Sequence, residues 1–101
     1  MFMDISFFEV EPGDEERFER EFGDIVAQAL AAVGCRSSEL IRLNEERRYC
    51  WLERWESRDA HQRFNEFLFD DIIPGHAELI DAVRRLEERD AEGVAVAGTS
   101  G

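Results

Sequence analysis

The sequence has no lysine: all 12 basic residues are arginine, set against 24 acidic residues, for a formal net charge of -12. That shortage of positive charge speaks against nucleic acid as a partner, since gripping a phosphate backbone takes clustered basic residues. It speaks equally against anionic membrane surfaces. No apolar run reaches the ~18 residues a membrane helix needs. Cysteine is scarce, with only Cys35 and Cys50. If the chain turns tightly at Asn44–Arg47, Cys50 faces Ile41 across a hairpin and Cys35 faces Glu56, too far apart for a disulfide. Free thiols suit a reducing compartment, and Met1-Phe2-Met3-Asp4 has neither a basic leader nor a cleavage pattern, so a cytoplasmic protein is expected. The two histidines and two cysteines are not at zinc spacing. Pro12-Gly13-Asp14 is a turn, not a phosphate-cradling loop. No metal and no cofactor are expected.

The residues present describe a small globular domain. Its 101 residues are 44% hydrophobic and 11% aromatic, with 8 phenylalanines, which is too much aromatic content for a disordered chain. We assign residues 1–97 to one domain and 98–101 to a flexible tail. Phe2 to Val10 alternates as a strand, with Met3, Ile5 and Phe7 on one face and Phe2, Phe8 and Val10 on the other. Asp4 and Ser6 are the polar breaks in that second face. Pro12-Gly13 ends the strand, and three acids then mark a helix start. Phe18, Phe22, Ile25, Val26, Ala29, Leu30 and Val33 form one helical stripe, which Gly34 stops.

Ser38 to Asn44 reads as a second strand and Arg48 to Glu56 as a third. Tyr49, Trp51 and Trp55 share one face of the third strand, and Cys50 and Leu52 share the other. Ser57 is placed to cap a helix carrying Ala60, Phe64, Phe67 and Leu68. Pro74 opens a further helix through Leu86, closed by Arg84, Arg85 and Arg89. Val94 to Val96 completes the set as a short strand. The order is that of a ferredoxin-like α+β fold, an antiparallel sheet with helices on one face. The other sheet face is also apolar, a large patch for a lone protomer to expose. A homodimer through the sheet faces is expected.

On these segments the chain resembles the antibiotic-biosynthesis-monooxygenase-like domains of the dimeric α/β barrels. The resemblance rests on the Phe-rich strand ending in Val10-Glu11-Pro12-Gly13, on Glu15-Glu16-Arg17-Phe18, on Gly34, and above all on Glu53-Arg54-Trp55-Glu56-Ser57-Arg58-Asp59-Ala60. It implies a dimeric barrel with a ligand cleft between sheet and helices in each subunit. It also implies, as one activity among several, cofactor-independent oxygenation of a small aromatic such as a phenol, quinol or anthrone. The haem-degrading branch carries Asn, Trp and His where this chain has Ser6, Phe64 and Pro74, so haem degradation is not expected.

Imidazole titrates near neutral pH, which makes His61 and His76 the candidate bases. Ser6 is a candidate positioning donor. Phe8, Trp51, Phe64 and Phe67 are candidate walls for an aromatic or apolar ligand. Glu53 is expected in the dimer interior, paired with Arg42 or Arg36, because buried acids are usually paired. The competing reading is a non-catalytic dimer that binds a small ligand or assists another enzyme.

Overall fold

A computed structural model describes residues 1–98 of the chain; of the proposed tail, residues 99–101 lie outside the described residues. Strand β1 (Phe2–Val10), helix α1 (Glu15–Leu30), strands β2 (Cys35–Arg42) and β3 (Arg48–Trp55) and helix α2 (Arg58–Phe67) follow one another as the sequence predicts. A wide π-type turn (Leu68–Ile72) and a 3-10 turn (Ile73–His76) lead into a single-turn helix, α3 (Ala77–Asp81). Strands β4 (Val83–Arg85) and β5 (Ala91–Val94) come last. The sheet is antiparallel in the order β2-β3-β1-β4, with β5 also paired to β1. The helices pack on one face.

Strand register decides which side chains meet the helices. Pairing of β1 with β3 sets Phe2 opposite Trp55, Asp4 opposite Glu53, Ser6 opposite Trp51 and Phe8 opposite Tyr49. Directly paired residues share a face, so these eight side chains lie together under the helices. Phe18, Phe22, Ile25, Val26 and Ala29 of α1 bury against them. Phe18 stacks on Phe22 with ring centroids 5.0 Å apart, and Phe22 meets Trp51 edge-on at 5.4 Å. The opposite sheet face presents Met3, Ile5 and Phe7 of β1, Ile41 of β2, and Cys50 and Leu52 of β3.

The stripe on α1 stops short of the expected end. Leu30 is 52% and Val33 88% exposed, because the helix gives way at Ala31 to a turn that returns the chain to the sheet. Gly34 completes that turn with a φ of 89°. A Cβ at Gly34 would lie 2.7 Å from the Cβ of Ala60, closer than two carbons can approach. Its carbonyl accepts from the Glu56 amide at 2.8 Å. The turn is thus pinned against the junction of β3 and α2. The hairpin runs in the predicted register from Ser37 to Arg42, with Cys50 facing Ile41. A bulge between Cys35 and Ser37 moves Cys35 opposite Trp55, not Glu56. Both cysteines are free.

The expected helix from Pro74 to Leu86 is the main correction. It ends at Asp81, and Val83–Arg85 turns into strand. The edge of β1 has backbone groups to satisfy, and a buried edge cannot leave them unpaired. β4 pairs with Phe8 to Val10, β5 pairs with Phe2 to Ile5, and the Leu86 amide donates to the Phe7 carbonyl at 2.9 Å. The closing strand accordingly lies at Ala91–Val94, earlier than expected. Arg84, Arg85 and Arg89 meet Glu9, Asp90 and Glu45, not a helix end.

Candidate functional site

The start of α2 fixes the one histidine that enters the interior. The Ser57 side chain accepts from the Ala60 amide at 3.1 Å, the cap the sequence predicts. One residue on, His61 points back over the sheet and is 5% exposed. Its ring rests 5.2 Å from the Phe2 ring and 5.7 Å from Trp55, edge-on to the latter. Between these two rings the imidazole has little freedom to turn.

Two carboxyl groups face it. Asp4 and Glu53 are direct cross-strand partners. Like charges placed opposite each other on neighbouring strands are destabilising, and this pair lies under the helices. His61 Nε2 is 3.2 Å from Asp4 Oδ2 and 4.0 Å from Glu53 Oε2. Neither oxygen is aligned with it for a hydrogen bond, so a buried nitrogen is left without a partner. Trp55 Nε1 donates to Glu53 Oε1 at 3.2 Å and holds that carboxyl in place. Among the described residues, no arginine forms an ion pair with either acid.

The environments split the two acids. For Glu53, burial dominates, the adjoining Asp4 adds to it, and the Trp55 bond only partly offsets both, so its pKa is pushed up to about 9. Burial pushes Asp4 upward too, but its contacts with His61 and Glu53 outweigh that and hold it below the usual carboxylate value. Near neutral pH the pair therefore keeps one proton, on Glu53.

The cluster opens into a cleft of about 290 Å³ between the sheet and the segment after α2. Phe8 and Trp51 of the sheet and Phe22 of α1 form one wall, and Leu68, Phe69 and Ile73 form the other. The second wall depends on the π-type turn, in which the Ile73 amide reaches back to the Leu68 carbonyl. Such widened turns are frequent at functional sites. Ser6 lies on the floor beside Asp4, and Arg85 and Asp90 stand at the rim, paired with each other.

The structure brings together His61, Ser6, Phe8 and Trp51 of the sequence candidates. It leaves out three. Phe64 packs in the core against Trp55, with ring centroids 5.4 Å apart. Phe67 is 49% exposed. His76 sits half-buried on the 3-10 turn, outside the cleft lining. Glu53 does not meet an arginine: Arg42 bonds Glu19 and Arg36 bonds Glu56. The signal that could have placed Glu53 was its strand parity, shared with Trp51 and Trp55.

The model of the antibiotic biosynthesis monooxygenase family matches residues 1–66. No curated protein matches the chain in sequence. Among solved structures, SnoaB of Streptomyces nogalater, a cofactor-independent oxygenase, superposes with a TM-score of 0.77 at 18% identity, covering 96% of this chain and 94% of that one. PA3566 of Pseudomonas aeruginosa gives 0.72 at 20% identity, covering 95% of this chain and 94% of its own. Rv0793 of Mycobacterium tuberculosis gives 0.69 at 19% identity, covering 99% and 98%. At these identities the likeness is one of fold.

Proposed function

Because the chain belongs to the antibiotic biosynthesis monooxygenase family, as the match over residues 1–66 establishes, we propose that it is a cofactor-independent monooxygenase acting on a small hydroxylated aromatic, of the phenol, quinol or anthrone kind. The observation that carries this reading is the orphaned Nε2 of His61, buried at the polar end of an aromatic-walled cleft with the Asp4 carboxylate 3.2 Å away.

In the tautomer with its proton on Nδ1, His61 offers the Nε2 lone pair to the cleft. Proton transfer from a substrate hydroxyl or activated ring carbon makes the imidazole cationic, and Asp4 is then its ion-pair partner. The electron-rich anion passes an electron to dioxygen, and the two radicals combine into a hydroperoxide. Loss of water leaves a new carbonyl. For a phenol the sum is phenol plus dioxygen to quinone plus water, with both electron pairs coming from the substrate. Ser6 is the proposed positioning donor, and Phe8, Phe22 and Trp51 the surfaces on which the ring rests. The dry walls keep the anion from being quenched by bulk water.

The protomer is proposed to pair with a second copy through Met3, Ile5, Phe7, Ile41 and Leu52, a contiguous apolar face with no helix over it. Sedimentation or light scattering at micromolar concentration tests this, and a monomer would remove it. For the activity, oxygen uptake is measured with a panel of hydroquinones and anthrones in the presence of a chelator. Uptake by the native protein that is lost in His61→Ala supports the reading. No uptake above that variant, with substrates still bound, leaves a ligand-binding protein instead.

A further inference from the structure

A second property of the same cluster goes beyond the oxygenase reading. Asp4, Glu53 and His61 each offer one potential ligand atom, and those atoms all lie within 4.8 Å of one another. First-row divalent ions bind imidazole nitrogen and carboxylate oxygen at about 2.0–2.2 Å. Two ligands at that range and near a right angle sit roughly 3 Å apart by simple trigonometry from those bond lengths. The Asp4 to His61 separation of 3.2 Å already has that value, and Glu53 Oε2, 4.0 Å from His61, has to move inward by about 1 Å to match it.

Three further observations point the same way. The His61 Nε2 is buried and makes no aligned hydrogen bond, its nearest acceptor being Asp4 Oδ2 at 3.2 Å, although buried polar atoms nearly always find a well-aligned partner. Glu53 is held from behind by Trp55 through Oε1, with Oε2 on the side of the histidine and the rest of the carboxyl in reach of Asp4. That is the outer support metal-binding carboxylates typically have. Finally, two acids sit opposite each other on paired strands with no arginine bonded to either among the described residues, so an ion has two carboxyl groups to draw on once Glu53 gives up its proton.

We propose that Asp4, Glu53 and His61 form a binding site for a single divalent transition-metal ion, whose remaining coordination positions open into the cleft. The mixed nitrogen and oxygen donor set favours manganese, iron, cobalt or zinc over magnesium or calcium. An ion there occupies the lone pair that would serve as base, so metal and cofactor-free turnover compete for His61.

The test uses the native full chain, stripped with a chelator and titrated with cobalt(II) chloride in the absence of substrate. The expected result is saturation at one ion per chain, with a visible d–d absorption band and paramagnetically shifted imidazole signals. His61→Ala and Asp4→Asn, each checked for native far-ultraviolet dichroism, should bind at least about tenfold more weakly. Trp55→Phe, which keeps all three ligands, should lose roughly tenfold by releasing Glu53, and His76→Ala should bind as the native chain does. The absence of a cobalt band in the native protein, binding unchanged in His61→Ala, or binding abolished by His76→Ala would each overturn the proposal. Because oxygen uptake is measured in chelator and cobalt binding without substrate, either reading can fail while the other stands.

Discussion

Two polar clusters hang from the helix side of β3, and they are built on opposite principles. At one end, the Tyr49 hydroxyl donates to Glu19 Oε2 at 2.6 Å, and Arg42 closes on the same carboxylate through three contacts of 2.6–2.9 Å. The Arg42 and Tyr49 bonds hold the Glu19 pKa down, while burial and then Glu19 push the Tyr49 pKa up to about 12. Every group has what it needs. At the other end the groups stand farther apart, with His61 Nε2 at 3.2 Å from Asp4 and 4.0 Å from Glu53, and a buried nitrogen is left unanswered. The same strand thus carries one completed network and one that is short of a partner. Completed polar networks fix structure, whereas unfinished ones cost stability and persist where something else completes them.

The largest expected effect tests whether the open cluster is the chemical one. His61→Ala should reduce oxygen uptake by about 10²–10⁴-fold, the usual span for loss of a general base, whereas Tyr49→Phe should leave it within about twofold of native. Comparable losses in both variants would erase the distinction. Gly34→Ala comes next. A left-handed φ and a 2.7 Å contact with Ala60 together should destabilise the fold by about 2–4 kcal/mol in urea titration. Because Gly34 abuts the start of α2, the partly folded variant should lose uptake while Tyr49 keeps its native fluorescence.

Smaller effects of opposite sign sharpen the contrast. Tyr49→Phe should cost about 1–2 kcal/mol, since it removes a bond to a charged acceptor. Glu53→Gln should stabilise the metal-free protein above neutral pH. The sign follows from the pKa: Glu53 ionises at about 9 when folded but near 4.5 ordinarily, so the folded state holds a proton that the unfolded state releases. Its contribution is fully present below pH 4.5 and is lost as pH rises through 9, on the order of 1 kcal/mol per pH unit. Thermal melts in chelator at pH 6, 7.5 and 9 (roughly spanning that window) should show a decline in the native chain that is flattened in Glu53→Gln. A parallel decline in both would mean that Glu53 is not the group held protonated.

The first two thirds of the fold were readable because alternation and the 3.6-residue period act locally. Phe2 to Val10, the stripe from Phe18 to Ala29, and the Ser57 cap each carry their structure in their own spacing. The segment Val83–Arg85 was not readable, because Leu79, Ile80, Val83 and Leu86 keep helical spacing while the edge of β1 recruits the chain as strand. A tertiary demand outweighed a local pattern there. In the site, His61, Ser6, Phe8 and Trp51 followed from parity and the cap, and their catalytic and binding roles are part of the proposal. Glu53 was assigned an arginine partner on the expectation that buried acids are paired, and that rule fails at the site where pairing is incomplete. Phe64 and Phe67 show the limit of helical spacing: it groups residues on one side but does not say whether that side meets core, cleft or solvent.

Between the stretches held by β5 and β4, the Phe7 amide donates not to a peptide carbonyl but to Asp90 Oδ1 at 3.0 Å. A side chain there replaces a rung of the ladder. The same carboxylate clasps Arg85, so at this seam a latch of charge is added to the backbone bond from Leu86 to Phe7. β4 and β5 already cover that edge of β1, and the aspartate closes the gap between them at the doorway to the cavity.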